Sequence, residues 1–235
     1  MKTSAGLVAL LMLFASVPCT ADLIVSRSII EMANDEARAD LVLINNDENN
    51  TLYVQVDPFV VAQPGTETQE LVALTAEDNA GLLVSPNKLA IPPGGRSLVR
   101  ILNLEKDMKL ERIYRVNFTP LTPPVEIAEP NGQDIKSRLD VVVAYQVLVM
   151  IRPANPAVIN TYSREGNKAV FGNNGNANYL LTEGQQCDPL NQADCRPLPD
   201  HRIYEGNNWS LELPYDAPFS YKIRKPEGLS ALEFE

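Results

Sequence analysis

Residues 139–151 read LDVVVAYQVLVMI, thirteen positions without a glycine or proline and with five valines. Written as a strand, the odd positions Leu139, Val141, Val143, Tyr145, Val147, Val149 and Ile151 are all apolar and share one face. The even positions are mixed: Asp140, Val142, Ala144, Gln146, Leu148, Met150 and Arg152. Fully extended, such a strand spans about 43 Å at roughly 3.3 Å per residue, against a usual strand of about five or six residues. One face is therefore apolar over more length than a small sandwich easily covers. It is either a long core strand or an edge strand whose first half serves something outside its own domain. Sheet edges are templates for pairing, and strand addition is one way proteins use them.

Outward from that stretch, the chain keeps a period of two. ERIYRVNF (111–118) and RSLVRILNL (96–104) alternate, and LLVSPNKLAI (82–91) runs into the turn signal PPGG (92–95). TLYVQVDPFVV (51–61) reads as a strand that Pro58 places at an edge or a bend. ADLVLIN (39–45) ends in a polar turn, and LIVSRSII (23–30) is apolar and β-branched. Helical signals are confined to 30–38 and 75–80. After Ile151 comes RPANP (152–156), whose two prolines cannot continue a sheet interior. Beyond it, strands are expected at 169–171, 178–182, 208–213 and 219–223. Short strands with regular turns predict an all-β chain of two immunoglobulin-like β-sandwich domains, 22–152 and 157–235, joined by a Pro hinge at 153–156.

Composition narrows the function. The 235 residues are 45% hydrophobic and 21% charged, which excludes disordered and fibrous classes. A formal charge of −10 gives no long-range attraction for phosphate backbones, so no nucleic-acid partner is expected. The single histidine, His201, rules out multi-His metal sites and most His-dependent triads. His201 lies between Asp200 and Arg202 in what reads as a polar surface loop. Gly94-Gly95 and Gly172-Asn-Asn-Gly175 read as turns rather than phosphate cradles. No cofactor, metal or catalytic residue is expected.

The chain opens with Lys2, an apolar run at 6–17 and the small-residue stretch Cys19-Thr20-Ala21, the pattern of a secretory signal peptide (1–21) cleaved after Ala21. No later charge-free apolar run approaches the length of a membrane-spanning helix, so the product is expected to be soluble. Export leaves Cys187 and Cys195, in CDPLNQADC, which read as a disulfide.

VSRSII, LLVSPNKLAIPPGGRSLVRI, ERIYRVNFTPLTPP, the long strand ending in IRP, and FGNNGNANYLL with its cysteine loop together resemble the periplasmic chaperones of the chaperone–usher pilus pathway. The details are most similar to the alternate branch that serves class-5 and common-pilus-type fimbriae. The resemblance runs from about Leu23 to the C-terminus. It implies two immunoglobulin-like domains forming a boomerang in the periplasm. It also implies donor-strand complementation, in which the chaperone fills the open groove of an incomplete fimbrial subunit with alternating apolar residues. Counted back from Arg152-Pro153, those donors are Leu139, Val141 and Val143. The implied partners are fimbrial subunits (pilins or an adhesin) and an outer-membrane usher, with self-association of the free protein as a way to cover the donor strand. No ATP is required.

In that family two basic residues in the interdomain cleft hold the subunit's terminal carboxylate. Arg27, in the VSRSII segment, matches the first. The second, ordinarily a lysine on the long strand, falls on Leu148, so Arg115 on the neighbouring strand is the substitute and Arg152 a lesser candidate. Two rival readings remain. A fimbrial subunit or adhesin would carry an extended apolar N-terminal donor segment, and Trp209 with Tyr215 could stack a sugar. An enzyme needs a positioned acid, base or nucleophile, and none stands out.

Overall fold

The computed structural model describes residues 22–74, 81–121 and 142–235. Among them there is no helix, and eighteen strands form two sandwiches. The first holds β1 (Leu23–Val25), β2 (Ile29–Met32), β3 (Arg38–Asn45), β4 (Leu52–Ala62), β5 (Glu70–Ala73), β6 (Leu82–Ser85), β7 (Lys88–Ile91), β8 (Arg96–Asn103), β9 (Arg112–Leu121) and β10 (Tyr145–Ile151). One sheet has the order β1-β3-β8-β6; the other is β2-β10-β9-β4-β5, with β7 also pairing β4. Buried Leu41, Leu43, Val54, Val56, Val99, Ile101, Val116, Phe118, Val147 and Val149 interleave between them. Each is the inward member of an alternating strand.

The expected single strand at 23–30 is two. β1 pairs antiparallel with β3, and the chain then crosses through Ser26-Arg27-Ser28 to the other sheet, where β2 pairs parallel with β10. Leu23 faces inward from the first sheet, and Ile30 and Met32 from the second. Both halves therefore read as one apolar run. The segment expected to hold a helical turn at 30–38 is instead β2, a turn closed by Glu36 N–H donating to Ala33 O, and the start of β3.

Pro58 lies inside β4, opposite Val116 of β9. On its other side β4 pairs β7 only over Leu52–Gln55 and β5 only over Phe59–Ala62. Pro58 thus occupies the gap between two partners, where a missing N–H leaves no ladder bond unmade. Its carbonyl still accepts from Leu74 N–H at 3.0 Å.

The second sandwich holds β11 (Asn160–Glu165), β12 (Lys168–Asn173), β13 (Tyr179–Asp188), β14 (Asn191–Leu198), β15 (His201–Ile203), β16 (Asn208–Glu212), β17 (Phe219–Lys225) and β18 (Gly228–Phe234). Its sheets are β11-β12-β16 and β14-β13-β17-β18, with β15 pairing β13. An aromatic group fills the core: Phe171, Phe219 and Phe234 pack with Tyr162 and Tyr221. His201 is on a strand rather than in a loop, and its ring stacks on Trp209 at 4.4 Å and 9°. Trp209 also stacks on Phe171, so the indole is part of the core's margin.

Cys187 and Cys195 face each other across the β13–β14 hairpin and form the disulfide. β14 is an edge strand with little buried surface, so a covalent tie compensates for weak packing. Replacing both cysteines with serine is expected to lower stability by about 2–3 kcal/mol on the loop-entropy account. The check is urea unfolding of the variant against the oxidised wild type. Equal midpoints would show that the hairpin needs no tie.

Candidate functional site

β10 is placed by both of its faces. Tyr145, Val147, Val149 and Ile151 point into the first sandwich. Leu148 and Met150 point outward, yet both are buried, because Val61, Ile113 and Tyr204 close over them. Tyr204 belongs to the second sandwich, so the strand's outer face is the floor of the junction between domains. The turn after β4 reaches the same place. Gly65 has φ +76°, and a Cβ there would stand 2.6 Å from the Tyr204 ring, so only glycine lets that turn lie on the aromatic face.

The ordered strand is shorter than the thirteen residues expected. It starts at Tyr145, and the exposed Val142, Val143 and Ala144 precede it without ladder partners. Leu139 and Val141 lie outside the described residues. Along β10, β9 covers one side from Tyr145 to Ile151. The other side is covered by β2 only from Leu148 to Ile151, beginning where Leu148 N–H donates to Ser28 O at 2.9 Å. Among the described residues, the backbone of β10 from Tyr145 to Val147 has an open edge on that side. Val143, 45% exposed, stands at its head.

Across the outer face, register aligns the side chains in rows. Leu148 is flanked by Ile29 of β2 and Arg115 of β9, and Arg115 is opposite Phe59 of β4. Arg115 therefore lies directly beside the position where the resemblance places a lysine. Its charge reaches the Tyr204 phenol, whose pKa burial raises and the Arg202 and Arg115 cations partly lower. Among the described residues no carboxylate pairs with Arg115. One row further out, Gln146 Nε2 donates to Asn117 Oδ1 at 2.8 Å, and Gln55 Nε2 donates to Asp57 Oδ1 at 2.9 Å, forming a polar band. Arg27 sits in the crossing between β1 and β2, next to Ser28, and its guanidinium donates to the Asp40 carbonyl. It is exposed.

Arg152 is placed differently. It is 8% exposed, and its Nη2 donates to Glu31 Oε2 at 2.9 Å while Nη1 donates to Glu111 Oε1. Glu111 in turn accepts from the backbone N–H of Asn178 at 3.1 Å and from its side-chain amide, and Asn178 Oδ1 accepts from Arg202. Five residues from distant parts of the sequence thus form one largely buried network across the junction. Glu111 has its pKa raised because burial outweighs the Arg152 cation and the Asn178 hydrogen bonds. Burial likewise lowers that of Arg202.

The native state therefore takes up the Glu111 proton before the unfolded chain does. As pH falls from 7 through the raised pKa toward the ordinary 4.5, this group's contribution to stability should rise. Denaturant unfolding at pH 7 and 5 should show the wild type gaining relative to Glu111→Gln. A relative loss would refute the direction.

FGNNGNANYLL supplies the other half of the junction. Asn176 Nδ2 donates to the carbonyls of Lys109 and Asn155 at 3.0 and 3.1 Å, and Asn207 Nδ2 donates to Pro64 O at 2.7 Å. Gly175 packs against the backbone just after the hinge; a Cβ there would stand 2.2 Å from Ala157 O. Among the described residues no cluster of His, Cys, Asp and Glu could hold a metal, and no helix is long and apolar enough to cross a membrane.

Three comparisons bear on the fold. No family model matches the chain. Among curated proteins it is similar to a CS1 fimbrial subunit of Escherichia coli, 26% identical over 175 residues, covering 73% of each chain. It is also similar to a CFA/I fimbrial subunit of Escherichia coli, 25% identical over 157 residues, covering 66% of this chain and 65% of that protein. Among solved structures it is similar to the class 5 fimbriae chaperone CfaA, with TM-score 0.63 and 19% identity over 91% of this chain and 99% of that one. The Escherichia coli chaperone DraB gives TM-score 0.62 and 15% identity over 91% and 95%. The SafB chaperone, solved with the Salmonella enterica SafA pilin, gives TM-score 0.62 and 14% identity over 93% and 98%. The chain has the two-domain, all-β fold of the solved fimbrial chaperones.

Proposed function

We propose that this chain is a periplasmic chaperone that captures fimbrial subunits by lending them a strand and hands them to an outer-membrane usher. The observation that carries this reading is the partly covered β10. Among the described residues its edge is open from Tyr145 to Val147, exposed Val142 and Val143 lead into it, and an arginine stands across from Leu148 where the cover begins. Similarly folded chaperones have been solved holding a pilin or a tip adhesin, which supports the same use of the fold here. Leu139, Val141 and Val143 are the donors that would enter the subunit's groove. Each apolar side chain buried there is worth about 1.5–3 kcal/mol. Backbone pairing with the open edge gives affinity, and the alternating side chains give register.

Arg27 and Arg115 hold the subunit's terminal carboxylate through charge-assisted hydrogen bonds. Arg27 first has to release the Asp40 carbonyl, a single bond at an exposed site. Arg152 holds the domains in place instead, because two carboxylates already share its guanidinium. The energy of capture comes from folding of the guest protein onto the strand, so no catalytic group and no cofactor are required.

The curated relatives are named as fimbrial subunits, which favours the rival of a structural fimbrial protein. Two sandwiches with filled cores favour the chaperone, because a strand-accepting pilin would leave its groove open. Co-expression with the proteins encoded beside its gene, followed by affinity purification, decides between them. The expected result is a one-to-one complex with an incomplete sandwich protein, lost in Val143→Glu. A Val143→Glu chain that still holds its guest would remove the donor assignment. A chain that instead polymerises by itself would establish the structural reading.

A further inference from the structure

A bare sheet edge pairs with whatever strand it meets, so proteins shorten, charge or kink their edges. Apart from the open stretch of β10, most edges among the described residues are managed in this way. β1, β2, β5 and β6 are only three or four residues long. β14 carries Asp194, Arg196 and Pro197, and its pairing with β13 breaks register after Cys187. β11 ends in two charges, and β16 is five residues closed by a glutamate. β18 is the exception. It runs seven residues with Glu233 as its one charge, without proline, and pairs β17 with no bulge. Among the described residues no strand takes its other side.

Register sorts the side chains of β18 onto two faces. Ser230, Leu232 and Phe234 lie opposite Ile223, Tyr221 and Phe219, on the core side. Leu229, Ala231 and Glu233 lie on the outer side, opposite Arg224, Lys222 and Ser220, and all three are exposed. Lys222 already holds Glu183, at 2.5 Å. Among the described residues Arg224 and Glu233 have no ion pair or side-chain hydrogen bond. Within one chain they cannot meet, because Arg224 stands beside Leu229, four residues or about 13 Å along the strand from Glu233.

A second β18 laid antiparallel on the open edge and centred on Ala231 brings them together. Leu229 then faces Glu233 of the second copy, and Arg224 lies in the same row. The two charges are two strand spacings apart, about 10 Å between backbones, which an arginine and a glutamate leaning over one leucine can close. The two-fold axis makes the same pair again on the other side. Ala231 meets itself, so no bulk or like charge opposes the approach. On the core side Gly228 faces Phe234 of the second copy, and Ser230 faces its half-buried Leu232.

We infer that β18 is a self-pairing edge, and that two copies of this chain join there into one continuous antiparallel sheet. The occupant is a second copy because the order of charges along β17 and β18 is complementary to its own reverse. Such a contact uses the bare edge of both molecules and so closes at a dimer. It covers neither the open edge of β10 nor Arg27 or Arg115, and is therefore independent of the capture of fimbrial subunits.

Sedimentation velocity of the full chain at rising concentration reads the association. A dimer is expected. Ala231→Lys sets two ammonium groups against each other on the axis and should weaken it at least tenfold. Arg224→Glu and Glu233→Arg should each weaken it, every change counting twice across the axis, and the double reversal should restore it. All three positions are exposed, and unchanged unfolding midpoints in dilute solution confirm intact variants. Val143→Glu and Arg115→Ala, which lose the guest, should keep the dimer, so this inference and the capture reading fail separately. A chain that stays monomeric would overturn the proposal. So would a dimer lost in Val143→Glu but kept in Ala231→Lys, or a double reversal that does not recover association.

Discussion

Arg115→Ala should abolish recovery of a captured fimbrial protein while leaving the unfolding midpoint of the free chain unchanged. The side chain is half-buried on β9, its position is fixed by pairing with Leu148 and Phe59, and no carboxylate pairs with it among the described residues. Among those residues its removal therefore strands no acidic partner. In a complex, losing one side of a desolvated charge pair costs about 2–5 kcal/mol, on the order of 30- to several-thousand-fold in affinity. Arg115→Lys keeps the charge but not the fork and should recover part of the loss. Affinity purification of the co-expressed pair reads all three. Wild-type recovery with Arg115→Ala would take this residue out of the anchor, and Arg27 would be left to act without it.

Arg152→Ala should behave in the opposite way, destabilising the free chain itself. The substitution leaves Glu111 buried against Asn178 without its main cation, and it cuts the tie to Glu31. Breaking a buried pair from one side costs about 3–5 kcal/mol, a large share of a domain's stability. Chemical unfolding should shift to lower denaturant, and the domains should unfold in two steps once the network no longer couples them. A variant that unfolds like the wild type but loses its guest would make Arg152 an anchor and refute the structural role. The contrast between the two arginines is testable because they lie at the same junction yet differ in what they already hold.

Much of the architecture is legible in the strand alternation. The inward residues of β3, β4, β8, β9 and β10 are those that a period of two selects, and PPGG makes its turn with Gly94 at φ +61°. The disulfide follows from two cysteines in an exported chain. Among the strands that the alternation does not mark, β11, β14 and β18 are edge strands that bury only Leu198 and Phe234, so no run of alternating apolar residues distinguishes them. Proline inside β4 reads as an interruption because the sequence does not tell that two different strands share that side.

The site is legible in part. The position of Arg115 opposite Leu148 turns on β9–β10 register, at which the substitution of leucine for lysine hints. The largely buried network of Glu31, Glu111, Arg152, Asn178 and Arg202 has no signal, because Arg152 reads as a candidate anchor and the other four each read as a solvated polar side chain. Only the fold gathers them. His201 reads as polar among Asp200 and Arg202, and only the approach of β15 to β16 puts an indole under it.

The early arrival of β2 beside β10 has a consequence for any guest. A foreign strand laid on the open edge can travel along Tyr145, Gln146 and Val147, and then it runs head-on into the backbone of Ser28. This molecule's own chain acts as a buffer at the end of a siding. On the proposed function, the visitor's last residue would halt there, with Arg27 on the buffer and Arg115 one strand away, so a tail one residue too long would have nowhere to go.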